Sequence, residues 1–270
     1  MSTAYSERIV AFIDILGFRE LVRKIGEDDK LRKRLHYSLE RIRSFKEFSL
    51  RNETAQKNLE VSVFSDSIAI SGTPDELATI VWTALGLQSS LLAMGVLVRG
   101  GIAKGPTFHA DDMLYGEGLI KAYDLESKTA VYPRVVIDPQ LLAEDRDGLK
   151  LKFLSLDTDG HWYIDPFAMG VLPDNSDALV EDGWDPHLVF LEDFEKVIER
   201  QLAELTDAGQ RAKWGWMKTC HAKALAFHRR YGAARIWHLM KLAREQGGFK
   251  GTTMRIEPGP ATKPSRKWRG

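Results

Sequence analysis

A single carboxylate interrupts an apolar, strand-length run near the start of the chain: Arg8-Ile-Val-Ala-Phe-Ile-Asp-Ile15, followed at once by Leu16-Gly17-Phe18. The β-branched, non-alternating character of the run predicts a strand buried at the centre of a sheet. A charge placed there is expensive unless it is paired or bound to a metal, so Asp14 demands a partner. A second acid, Asp66, stands in Val61-Ser-Val-Phe-Ser-Asp-Ser-Ile-Ala-Ile70. Strand-length runs at 59–64 and 67–71 flank Ser65-Asp66, which suits a tight hairpin that delivers Asp66 to the sheet edge. Acids at strand ends that a sheet can bring together are what a phosphoryl-transfer site needs to hold a pair of divalent cations.

The rest of the first half alternates helical and extended patterns. Residues 16–25 carry Phe18, Leu21, Val22 and Ile25 at the spacing of a helical face, and a second helix is expected over 29–48. Pro74 with Asp75-Glu76 announces a helix that runs to about Met94 and closes at Gly95. A strand is expected over 96–102, then a loop or long hairpin around Gly105-Pro106 and His109-Ala-Asp-Asp112, then a helix over 117–128 packing through Leu119, Tyr123 and Leu125. A short strand at 134–137 precedes a hairpin of 151–156 with 161–164 around Asp157-Thr-Asp-Gly160. This order predicts an α+β sandwich, an antiparallel-rich sheet with helices on one face. Two long helical patterns, 188–205 and 211–246, and a basic Pro/Gly-rich tail follow. The expected organisation is a catalytic domain over 1–170, a helical extension over 171–246 and a flexible tail over 247–270.

Composition closes off several functions. Lys plus Arg (38) equals Asp plus Glu (38), so no global field draws the chain to nucleic acid or to an anionic membrane. The lone Cys220 cannot form an internal disulfide, and no apolar run is long enough to span a bilayer. A cytoplasmic protein with no membrane partner is expected. His109 and His161 have no partner at metal-ligand spacing, and Cys220-His221 lacks the other ligands of a zinc site, so all are expected to be structural.

Four blocks in order resemble the catalytic domain of the class III nucleotidyl cyclases: Phe-Ile-Asp-Ile-Leu-Gly-Phe18, Phe-Ser-Asp-Ser67, Arg-Gly-Gly-Ile-Ala-Lys-Gly-Pro106 and Tyr-Gly-Glu-Gly-Leu-Ile-Lys-Ala-Tyr-Asp-Leu-Glu-Ser127. The resemblance spans residues 8–137. It implies the ferredoxin-like sandwich of that family, with Asp14, Asp66 and the carbonyl of Ile15 as metal ligands for two divalent cations, Mn2+ or Mg2+. It implies that Arg99 binds triphosphate and that the amides of Leu16, Gly17 and Phe18 cradle phosphate at a helix N-terminus. It also implies a homodimer with sites at the interface. The reaction implied is attack of a ribose 3′-hydroxyl on its own α-phosphate, with pyrophosphate leaving.

The departures from the family pattern narrow the substrate. Ile120 and Asp124 stand where a transition-state asparagine and arginine belong, Ser62 stands where the family places its purine-selecting residue, and Met113 falls near the usual partner of that residue. Ser62, Phe64 and Lys104 are expected to bind substrate, and Lys104, after Arg99, is a candidate to replace the missing arginine. A site without charged purine readers loses its discrimination for adenine or guanine. The chain therefore looks most like the bacterial pyrimidine cyclases of the Pycsar antiphage system, which make cyclic UMP or cyclic CMP for a separate effector, with UTP favoured over CTP. A degenerate cyclase-like module that binds without turnover is the alternative.

Overall fold

Alternation along the first strand decides which way each layer faces. In β1 (Ser6–Ile15), Ile9, Ala11, Ile13 and Ile15 are buried in the main core, while Val10 joins a second cluster on the opposite face. The computed structural model describes residues 5–33, 35–37, 40, 59–110, 113–143, 148–167 and 186–245. The sheet is completed by β2 (Glu60–Phe64), β3 (Ser67–Gly72), β4 (Val98–Ala110), β5 (Met113–Gly116), β6 (Val135–Ile137), β7 (Leu154–Leu156) and β8 (Trp162–Ile164). Its order is β2-β3-β1-β4-β6-β8-β7, with β5 folded back on β4. Every pairing is antiparallel except that of β4 with β6. The chain is α+β, and its first four strands have the split βαβ arrangement of a ferredoxin-like sheet.

The main face is covered by α1 (Phe18–Glu27) and α2 (Leu77–Leu92). Leu21 of α1 is buried and Phe18 and Ile25 pack beside it, whereas Val22, expected on that face, is exposed. The helix α2 is apolar almost all round because it fills the space between the sheet and the C-terminal helices: Ile80, Val81, Ala84 and Leu91 join the main core and Leu92 the next one. Each of the Ile, Val and Leu side chains contributes roughly 2 kcal/mol by leaving water. The start of α2 is fixed by Thr73, whose N–H donates to Glu76 Oε2 at 2.7 Å across a single 3-10 turn, Pro74–Glu76. The second expected helix is seen at 29–33 and 35–37; residues 41–58 lie outside the described residues.

One short helix, α3 (Glu117–Asp124), lies on the other face, an addition to the single helical layer expected. Its Ala122 packs on Val10 and Ala103. This contact requires Gly101, because a Cβ there would come within 2.3 Å of the Ala122 carbonyl oxygen. The strand expected to stop at 102 instead continues as β4 to Ala110. Pro106 is tolerated within it, opposite Glu7, at the point where β4 leaves β1 and takes up β5. Likewise a helical turn, α4 (Leu149–Lys152), replaces the first residues of the expected hairpin strand.

The C-terminal helices α5 (Pro186–Glu204) and α6 (Ala208–Glu245) are not an independent layer. Leu191, Phe194, Ile198, Trp214 and Met217 share one cluster with Leu92, Leu97, Tyr163 and Phe167 of the sheet half. Trp216 stacks on Tyr132 at 5.6 Å between ring centroids. The expected boundary at 170/171 and the tail at 247–270 lie outside the described residues. Among the described residues no helix is long and apolar enough to cross a membrane.

Candidate functional site

Asp14 sits one residue from the end of β1, paired with Ser67 of β3 on one side and Arg99 of β4 on the other. The Ile15 N–H donates to the Asp66 carbonyl at 2.7 Å, which ties the β2–β3 hairpin tip to the end of β1. The tip is a two-residue turn with Ser65 at φ 55°, a left-handed conformation that costs a non-glycine residue about 1 kcal/mol. Asp14 and Asp66 thus belong to adjoining strand ends. Burial raises the Asp14 carboxyl pKa, Arg99 opposes the rise, the Asp66 charge adds to it, and Lys213 opposes it again.

Arg99 is held between acids. Its Nε lies 3.7 Å from Asp14 Oδ2 and makes a closer ion pair with Glu126 Oε1. Glu126 is 3% exposed, and its carboxyl pKa is raised by burial and opposed by Arg99, with Asp14 adding to the rise. It is delivered by a π turn, Leu125–Thr129, that follows α3 and closes with the Ala130 N–H on the Leu125 carbonyl at 2.8 Å. π turns recur at functional sites because the extra residue re-aims a side chain. The sequence block that contains Glu126 does not by itself give this residue a role. The available signal was an acid at i+4 from buried Ala122, on the helix face that closes over Gly101.

The remaining expected site residues divide by face. Phe64 pairs with Ser67, which pairs with Asp14, so Phe64 lies exposed on the same face. Ser62 pairs with Ala69, which pairs with Phe12, and lies on that face too. Lys104 does not. It pairs with Ile9, whose side chain enters the main core, and alternation puts it on the face opposite Asp14 and Arg99. It cannot stand in for the missing arginine.

Of the three amides expected to cradle phosphate, one is already taken. The Leu16 N–H donates to the Leu97 carbonyl at 2.8 Å, and its side chain packs against the C-terminal cluster, so Leu16 leaves the cradle. Gly17, at φ 74°, turns the chain into α1, and a Cβ built there would meet nothing within 4 Å. The first intrahelical bond is Leu21 N–H to Gly17 O at 3.0 Å, which leaves the Gly17 and Phe18 amides at the open N-terminal end. There they lie at the positive end of the helix dipole, three and four residues after Asp14.

The positions expected to read the base are built differently. His109 is buried, with Nε2 2.8 Å from Ser62 Oγ and Nδ1 2.7 Å from Ser71 Oγ. Arg8 Nε donates to the same Ser71 hydroxyl at 3.0 Å. Met113 and Ile120 are exposed, and Asp124 is spent on an exposed ion pair with Lys128 at 2.9 Å. Among the described residues no group of three or more His, Cys, Asp or Glu forms a metal cage. A hard cation here would be held by the Asp14 and Asp66 carboxylates, backbone oxygen and substrate phosphate, the mode that suits Mg2+ or Mn2+.

Comparison with known proteins gives distant likenesses only. No known-family profile matches the chain. No curated protein sequence matches it either. Among solved structures, the adenylyl cyclase CyaB from P. aeruginosa is similar at 16% identity with a TM-score of 0.45, covering 64% of this chain and 99% of its own. A bacterial light-regulated adenylyl cyclase is similar at 13% identity with a TM-score of 0.40, covering 71% of this chain and 97% of its own.

Proposed function

We propose that this protein is a metal-dependent nucleotidyl cyclase that converts a pyrimidine nucleoside triphosphate, UTP before CTP, into its 3′,5′-cyclic monophosphate and pyrophosphate. The observation that carries the reading is the juxtaposition of Asp14 and Asp66 at adjoining strand ends with Arg99 in register beside Asp14. Three acids, Asp14, Asp66 and Glu126, face the cations Arg99 and Lys213 there, which leaves room for added positive charge. Two divalent cations, Mn2+ or Mg2+, when bound, lower the pKa of the ribose 3′-hydroxyl and neutralise phosphate charge.

The chain's own residues do the rest. Asp14, Asp66 and the Ile15 carbonyl would hold the cations, and Arg99 with the Gly17 and Phe18 amides would hold the phosphates against the strand ends. The 3′-oxygen forms its bond to the α-phosphorus as the bond to the β-phosphate oxygen breaks, and the hydroxyl proton leaves to solvent. The Asp14 face carries the exposed Phe64, Ile120 and Tyr123, the last edge-on to Phe12 at 5.6 Å. A second copy of the chain covering that face would complete the site. The product would act as a second messenger read by a separate effector, the role that pyrimidine cyclic nucleotides have in antiphage defence.

The test is direct. Purified protein with Mn2+ and each of the four nucleoside triphosphates yields a cyclic pyrimidine product and pyrophosphate. Asp14→Ala and Asp66→Ala each lower turnover by roughly 100-fold or more while remaining folded. Full activity in either variant removes that carboxylate from the mechanism, and no product from any nucleotide leaves a binding module.

A further inference from the structure

His109 was expected to be structural, yet it stands at the centre of a buried polar chain that crosses the sheet on the face carrying Asp14. The chain runs from Arg8 on β1 to Ser71 on β3, His109 on β4 and Ser62 on β2. Its direction follows from the chemistry of the groups. Guanidinium only donates, so Ser71 Oγ accepts from Arg8 Nε. The Ser71 hydroxyl then has one proton to place, Ser71 has no exposed surface, and its acceptor among the described residues is His109 Nδ1 at 2.7 Å. The other tautomer would bury that proton unpaired. His109 therefore carries its proton on Nε2 and donates it to Ser62 Oγ at 2.8 Å. The Ser62 hydroxyl proton has no acceptor among the described residues and is left to donate outward.

We propose that Arg8, Ser71 and His109 position Ser62 as a fixed hydrogen-bond donor, and that this donor selects a pyrimidine with a carbonyl at its reading edge, uracil, over one with an amino group, cytosine. The proposal rests on the cyclase reading above. Ser62 lies two strands across from β1 and two residues along from Asp14, about 10 Å by 7 Å in sheet spacings and so roughly 12 Å away. That separation suits a nucleotide with its phosphates at Asp14 and its base at Ser62. Uracil offers O4 to the Ser62 proton, whereas the cytosine amino group can be met only through the remaining Ser62 lone pair, which leaves the hydroxyl proton without its partner. Hydrogen bonds in such a chain reinforce one another, with the Arg8 charge at its head.

The measurement is kcat/KM for UTP and CTP, with Mn2+, for the full chain and four variants. The parent favours UTP by about tenfold or more. Ser62→Ala and His109→Ala bring the ratio close to one, the loss carried by the KM for UTP; Ser71→Ala moves in the same direction. Ser62→Thr keeps the hydroxyl and the preference. Nitrogen NMR of the labelled histidine places the His109 proton on Nε2. A parent that favours CTP or neither overturns the proposal, as do variants that lower both nucleotides equally, or a proton on Nδ1. Should His109→Ala not fold, Ser62→Ala carries the same decision. Failure to form any cyclic product sinks the cyclase reading instead, and equilibrium binding of UTP and CTP to the same proteins then decides the relay. Binding of both with equal affinity, or of neither, overturns it.

Discussion

Arg134 shows how strongly one side chain can be committed. It is fully buried and paired with Asp157 and Asp159 at the tip of the β7–β8 hairpin. Removing it in Arg134→Ala leaves the largely covered Asp157 without its partner and costs about 3 kcal/mol, read as a fall in the urea midpoint. The pair also sets a pH dependence. Arg134 holds the Asp159 pKa at about 2, below its ordinary 3.8. The native state thus binds the proton less tightly than the unfolded chain, so this stability is present above 3.8 and is lost as pH falls towards 2. Because Asp159 is 43% exposed, water screens the effect, and Asp159→Asn should narrow the Tm difference between neutral and acid pH by only about 1–3 °C. An unchanged acid slope would assign the dependence to other carboxylates. At this scale Asp14 was legible because a lone acid in an apolar run needs a reason. Glu126 and His109 were not, since each acquires its role from a partner far away in sequence.

Elements were legible in proportion to their local signals. The β2–β3 hairpin and α2 were marked by Ser65-Asp66 and by Pro74 with Asp75-Glu76, and both formed where expected. Long-range pairing decided the rest. Strand β4 runs through Pro106 because β1 and then β5 supply partners, and Lys104 fell to the wrong face because β4 stays extended through it, so alternation holds from Arg99 onward. The C-terminal helices were found as elements, but not their contact with the site. Leu16 packs into their cluster and the Lys213 charge reaches Asp14. Lys213→Ala should therefore raise the KM for nucleotide about fivefold at low salt and less at high salt. Equal kinetics in both salts would confine α6 to a scaffolding role.

For the whole molecule, the antiparallel-rich sheet followed from the order of the elements, but the two-sided use of that sheet did not. Among the described residues one face is covered by α1 and α2, and the other only partly by α3. Composition cannot distinguish those outcomes, because exposed Ile120, Tyr123 and Phe64 count as apolar residues wherever they point. If a second copy covers this face, Ile120→Arg converts dimer to monomer in sedimentation and lowers turnover by roughly tenfold or more. A dimer that survives the substitution with full activity would place the contact elsewhere.

Cys220 has a practical consequence. Its thiol lies 3.5 Å from the Tyr163 hydroxyl where α6 meets β8, and burial pushes its pKa up to about 12. Such a sulfur is inert while the helix stays seated. As the chain's lone thiol, it is a native chemical clock: the rate at which an alkylating reagent marks it counts how often the helical pair lifts off the sheet.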